Sequence, residues 1–466
     1  MLRYLWLALV LCGLWASPDA RAASREFTGI APSGAWYHIE IPAGWTPGGT
    51  LVMYQHGLVF KNASSPPGLG PLRSVMLAES DAIAATSYRQ RGWALFSAIE
   101  DNRELLDVFE RVAGAPGEIL PFGGSLGGLI ALKLAEARGF PPVRGAFALC
   151  PAAGGARLWD AAIDLRLAYD VVCHDAGDLP TGAEPLPWAF DLNQIPEDLG
   201  DLFDQVQVAQ ALVPLNQCTG INLPSYLRND AMQRRLDELM AFSHISDEHF
   251  FLTNVAYAVF VMSDLVRAPD KLGDRNPFTT VGVDYSSDPA IDAGIARINA
   301  DPAAAARFRA VSHFEGSIGT AKILSMHTSR DQLVIPSNQE FVRAVLPADQ
   351  LTSAIVDEDV PTHCGFTEAE GLAGWEALRA WKNGAPQPSV AALQQACSNL
   401  QASGVVNGPC RFNPDAQIAS FDSFARPRPV APPIAPRQHS QRPIPDILLQ
   451  SHERAARPQH TTFAQP

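Results

Sequence analysis

The sequence predicts an α/β protein: a mostly parallel central sheet flanked by helices and interrupted by a largely helical insertion. Three observations point there. Short apolar runs alternate with helix-like stretches between Phe27 and Ala148, as repeated βα units require. The alternation is lost between Pro151 and about Gly319, then returns at Lys322. A Gly-Gly-Ser-Leu-Gly-Gly string falls where a predicted strand meets a predicted helix.

Taken in order, residues 51–55 read as a buried strand, 77–90 as a helix and 93–99 as a second strand. A helix at 102–112 is stopped by the Gly and Pro residues of 114–116. Residues 118–122 read as strand, and 126–138, rich in Leu, Ala, Lys and Glu and ending at Gly139, as helix. A strand at 145–150 follows. The stretch 151–319, with many Pro and Asp residues and several aromatics, is expected to be an inserted cap. Its most apolar piece, 250–262, is too short to span a bilayer. It is expected to be a buried cap helix, whose Phe and Val side chains offer an apolar pocket lining. Strand patterning resumes at 322–326 and 351–356, and a helix is expected over 368–381.

The first residues read as an export signal. Arg3 is followed by an apolar run and by Ala20-Arg21-Ala22, a small-residue cleavage site. The run is shorter than the roughly 20 residues a spanning helix needs. Leu11 before Cys12 does not suit lipidation. The expected organisation is a signal at 1–22, core segments at 23–150 and 320–388 around a cap at 151–319, a cysteine-bearing extension at 389–411, and a disordered Pro/Arg/Gln-rich tail at 412–466. Export to an oxidising compartment favours disulfides among the remaining six cysteines. The expected pairs are Cys397 with Cys410, Cys173 with Cys218, and Cys150 with Cys364. The net charge of −14 leaves no basic footprint for nucleic acid. No stable membrane insertion is expected either, and the oligomeric state is not readable.

A G-x-S-x-G string arises by chance in roughly one chain in ten of this length at ordinary Gly usage. A strand before it and a helix after it make it specific. Flanking glycines permit a sharp turn that exposes the Ser125 hydroxyl at a helix N-terminus. Downstream, the strand at 322–326 runs into His327-Thr328-Ser329-Arg330-Asp331, and the strand at 351–356 leads to Pro361-Thr362-His363-Cys364-Gly365. Serine, acid and histidine would all follow sheet strands, at the carboxyl ends where such sheets bind ligands.

In these segments the sequence resembles the α/β-hydrolase superfamily, whose triad runs serine, acid, histidine along the chain. The resemblance covers about 27–384 outside the cap. It implies Ser125 as nucleophile, His363 as general base and Asp331 as its orienting acid, with Asp357 or Asp359 as displaced alternatives. His56-Gly57-Leu58 resembles the superfamily's HG segment, so the resemblance implies an oxyanion hole from the N–H groups of Leu58 and Leu126, with His56 bonded locally. The segment around His363-Cys364-Gly365 resembles tannase-like and feruloyl-esterase enzymes, in which cysteines beside serine and histidine are bridged. Here Gly124 precedes the serine, and Cys150 is the substitute partner. A secreted esterase acting on a small-molecule or polymeric ester, with no cofactor, is the expected function. The alternatives are a peptidase using the same triad and a catalytically inactive binding protein of the same fold. His244, Asp247, Glu248 and His249 cluster in the cap but match neither H-E-x-x-H nor H-x-x-E-H, so a polar helix end is expected rather than a metal site.

Overall fold

A computed structural model describes residues 24–175, 213–404 and 406–418; the expected export signal and most of the expected tail lie outside them. One sheet of nine strands runs through the molecule in the order β1-β2-β4-β3-β5-β6-β7-β8-β9. Its edge is an antiparallel hairpin of β1 (Arg25–Ile30) and β2 (Trp36–Ile41). The strands β3 (Thr50–Gln55), β4 (Ala82–Thr86), β5 (Glu118–Gly124), β6 (Gly145–Leu149), β7 (Lys322–Thr328) and β8 (Leu351–Val356) are mutually parallel. The central strands are buried on both faces, which is why they read as apolar runs rather than alternations.

Two expectations fail between β3 and β5. The helix expected over 77–90 is a short one, Arg73–Ala78, and the strand expected at 93–99 is instead a 3-10 turn, Ala94–Phe96, entering a helix, Ala98–Ala113. The strand in this region is β4, whose Ala-Ile-Ala-Ala-Thr has helix-forming composition but is buried along its whole length between β2 and β3. Pairing on both sides and full burial fix it as a strand, so tertiary context overrides propensity.

Among its described residues the insertion between β6 and β7 carries the helices Ala156–Val172, Val213–Thr219, Asp230–Ser243, Glu248–Arg267, Pro289–Gly294 and Pro302–Ser312, joined by irregular stretches of which 268–288 is the longest. The apolar piece at 250–262 belongs to the longer helix Glu248–Arg267, long and apolar enough by itself to cross a bilayer, yet two-thirds of its apolar window is buried. It forms the middle of one core shared by cap and sheet, in which Phe251, Val259 and Leu265 pack with Leu129 and Ile163.

The tail boundary also moves. Phe412–Asn413 form β9, antiparallel to β8, and Phe412 is buried. Arg411 anchors the segment through an ion pair with buried Glu370 and a bond to the Gly365 carbonyl. The helix Val390–Ala402 before it packs on Glu368–Lys382. All six described cysteines stand at disulfide distance in the expected pairs, with Cα separations of 5.6 Å for Cys150–Cys364, 5.6 Å for Cys173–Cys218 and 5.8 Å for Cys397–Cys410.

Candidate active site

The turn after β5 is built from close backbone approach. A Cβ on Gly127 would stand 2.1 Å from the Gln55 carbonyl oxygen, and one on Gly123 would stand 2.5 Å from the same atom. Only glycine lets the helix Leu126–Glu136 lie against β3 at this point. Ser125, between strand and helix, has φ 58° and ψ −125°, an uncommon conformation for a side-chain-bearing residue. Its N–H is held by the Leu149 carbonyl of β6 at 2.9 Å and its own carbonyl accepts from Ala152 at 3.1 Å. The side chain faces a cavity of about 950 Å³, counted out to its open mouth.

Asp331 lies in the loop after β7 and is fully buried. Its Oδ1 accepts from the N–H groups of Leu333 and Val334 at 2.9 and 3.0 Å, which fixes the carboxylate plane. Its Oδ2 accepts from His363 Nδ1 at 2.7 Å. With Nδ1 donating, Nε2 of His363 is left as the proton acceptor. The Cys150–Cys364 bridge ties the residue after His363 to the end of β6, the strand that pairs with the end of β5. The Cys364 sulfur is 3.6 Å from His363 Nε2 and would be 3.9 Å from a Cβ on Gly124. The bridge thus holds the imidazole beside the serine turn. Asp357 accepts from Asn413, and the Asp359 carbonyl accepts from Arg330. Of the three candidate aspartates, Asp331 is the one bonded to His363.

Leu58 and Leu126 both line the cavity beside Ser125. Leu126 opens its helix, so its N–H has no intrahelical acceptor. The loop carrying Leu58 is pinned by Gly92 donating to the Val59 carbonyl at 2.7 Å and by the Tyr88 hydroxyl donating to the His56 carbonyl at 3.3 Å. His56 bonds the Gly57 carbonyl through Nδ1 at 2.7 Å and packs on Tyr88, and burial pushes its pKa below the usual histidine value.

Sequence reasoning missed three polar groups around this centre. Buried Gln332, next to Asp331, accepts from Ser246 and Asp247 N–H at 2.9 and 3.1 Å and donates to the Ser246 hydroxyl at 2.8 Å. Asn254 of the cap helix donates to the Gln332 carbonyl at 3.0 Å. The cap is thereby bolted to the acid loop. His327, buried at the end of β7, donates to the Val334 carbonyl at 2.6 Å and lies 3.9 Å from Asp331 Oδ2. Burial lowers its pKa, against the pull of the Asp331 charge. Glu358, 7 % exposed, accepts from the Thr362 hydroxyl in the turn before His363. Burial pushes its carboxyl up to about 7, with Asp331 adding to the rise and Thr362 opposing it. Gln332 acts through contacts across long sequence separation, while His327 and Glu358 take their roles from burial beside Asp331, which no motif marks.

The polar cluster in the cap resolves into helix termini. His244 ends one helix, Asp247 caps the next by accepting from Phe250 N–H at 3.0 Å, and Glu248 pairs with Arg228. A second cluster, Cys150, Asp331, His363 and Cys364, brings its ligand atoms within 4.8 Å of one another. Its two sulfurs are joined to each other and lack the thiolate charge that binds metals.

No family model and no curated protein matches this sequence. Among solved structures, an esterase from Aspergillus oryzae is similar at 13% identity and a TM-score of 0.42, covering 78% of this chain and 80% of that one. Feruloyl esterase B from Aspergillus oryzae is similar at 12% identity and TM-score 0.39, covering 78% and 81%. For a 2,6-dihydroxy-pseudo-oxynicotine hydrolase the figures are 12% and 0.32, and this chain spans 62% of its length. Likenesses of that size leave the assignment to the strand order, to the serine turn after β5, and to an acid after β7 that meets a histidine after β8. On those features the chain has the α/β-hydrolase fold.

Proposed function

We propose that the protein is a secreted serine hydrolase that cleaves carboxylic esters through an acyl-enzyme. The observation that carries this reading is the 2.7 Å bond from His363 Nδ1 to buried Asp331, beside a serine held at φ 58° on a glycine-bounded turn. A serine hydroxyl is a weak nucleophile until a base takes its proton. In the proposed reaction His363 Nε2 accepts the Ser125 proton as Oγ bonds to the ester carbonyl carbon. Asp331 stabilises the resulting imidazolium, and the N–H groups of Leu58 and Leu126 receive the oxyanion. The proton then passes to the leaving alkoxide. Water, activated by the same histidine, releases the acid.

The ester preference rests on the cavity, whose walls are largely apolar and include Trp93, Leu158, Trp159, Phe242 and Ile245 beside Ser125. Such a lining suits an ester with a hydrophobic acyl or alcohol part. Export rests on the three cysteine pairs, which belong to an oxidising compartment. The test is turnover of p-nitrophenyl esters of increasing chain length and of aminoacyl p-nitroanilides by the mature protein and its Ser125→Ala variant. Ester turnover lost in the variant supports the reading; anilide turnover favours a peptidase. Silence on both, with no labelling by a fluorophosphonate, refutes it.

A further inference from the structure

The cap helix Glu248–Arg267 does not run as a regular α-helix. Between Tyr257 and Val261 it widens into a π-helical turn, a rare distortion that recurs at functional sites because it redirects one side chain at the cost of regular bonding. The first residue of that turn is Tyr257. It lines the cavity together with Ser125 and Leu58. Its ring meets Phe60 edge to face at 5.4 Å, two residues beyond Leu58 on the loop expected to supply an oxyanion donor. Three residues earlier, Asn254 fixes the same helix to the Gln332 carbonyl, beside Asp331. The tyrosine is therefore braced from both the loop after β3 and the acid loop.

Among the described residues the Tyr257 hydroxyl makes no hydrogen bond. A phenol at a cavity wall normally finds a partner. Burial, and then the Asp331 charge, push its pKa well above the usual tyrosine value, so it remains a protonated donor throughout the neutral range.

We propose that Tyr257 is a catalytic residue contributed by the cap: its hydroxyl donates a hydrogen bond to the carbonyl oxygen of the bound ester as that oxygen becomes an anion. The inference rests on the serine-hydrolase reading above. In the step concerned, Ser125 Oγ bonds to the carbonyl carbon, the carbonyl π pair moves onto oxygen, and the Ser125 proton passes to His363 Nε2. Tyr257 keeps its own proton and supplies a third donor beside the N–H groups of Leu58 and Leu126. The cap would then complete the reaction centre as well as wall it.

The test is steady-state hydrolysis of a p-nitrophenyl ester by wild type, Ser125→Ala and Tyr257→Phe, with thermal melts to compare folding. The phenylalanine ring preserves the packing on Phe60. The expected result is a fall in kcat of about 10²-fold with KM little changed. Affinity for a boronic acid that mimics the tetrahedral intermediate should fall by a similar factor. Unchanged kcat and boronate affinity in Tyr257→Phe, with Ser125→Ala inactive, would overturn this proposal alone. A rise in KM at constant kcat would do the same, because it marks a contact that does not strengthen in the transition state. Full activity in Ser125→Ala would instead remove the serine reading on which it stands.

Discussion

Replacing Glu358 with glutamine takes a titrating group out of the space behind the His363 turn while keeping its shape and its bond from Thr362. The wild-type carboxyl rises from an ordinary 4.5 to about 7 because it is buried and faces Asp331. Hydrogen bonds from Thr362, Thr328 and the Arg330 backbone pull the other way and do not outweigh the burial. A carboxyl that holds its proton more tightly folded than unfolded stabilises the fold at low pH. That contribution is complete below about 4.5 and is lost as pH rises through about 7. Each factor of ten in proton affinity is worth about 1.4 kcal/mol, so the full loss is about 3 kcal/mol. Asp81, also raised by burial, to about 6, adds a loss of the same sign. Comparing variant with wild type cancels it. Urea unfolding of both proteins at pH 4 and pH 8 gives the answer, with the denaturant slope confirming two-state behaviour. At pH 4 the two should agree within about 1 kcal/mol, and at pH 8 Glu358→Gln should be the more stable by about 3 kcal/mol. A stability difference that stays constant across this range would refute the assignment of a neutral Glu358.

Asp331→Asn should keep the fold and lower kcat by about 10⁴-fold, because the amide no longer selects the Nδ1–H form of His363; pre-steady-state and steady-state ester hydrolysis measure it. Gln332→Ala leaves the N–H groups of Ser246 and Asp247 without their acceptor and should cost about 2 kcal/mol in denaturant unfolding, with proteolysis of the cap rising in step. Replacing Cys150 and Cys364 together by serine should cost about 2–5 kcal/mol and lower kcat, since the His363 turn loses its tie to β6. A double variant as stable and as active as wild type would show that the bridge holds nothing in place.

What was legible in the sequence is what local chemistry dictates. The serine turn needs its glycines because backbone meets backbone there, the acid and histidine follow strands, and an even set of cysteines favours disulfides without fixing which cysteines pair. The strand β4 was not legible, since its alanines signal helix until β2 and β3 are known to enclose it. Phe412 was assigned to the tail because two residues make too short a run to read, although β8 offers them an open edge. Glu358, Gln332 and Tyr257 escaped for a related reason. Their significance lies in what faces them, and Gln332 meets residues 85 and 86 positions away.

The Cys150–Cys364 bridge closes a loop of 214 residues that contains the entire insertion. The bridge therefore makes the inserted segment a bulge on a fastened ring. The entropy of closing such a ring grows only with the logarithm of its length, so residues can be added to or removed from the insertion with little effect on how the two halves of the sheet find each other. Substrate range could then diversify by rewriting the insertion while the serine and histidine stay clasped. The same topology sets an order of assembly. The clasp can be sealed only after residue 364 has emerged, so the serine and histidine turns cannot be fastened before the whole insertion has been made.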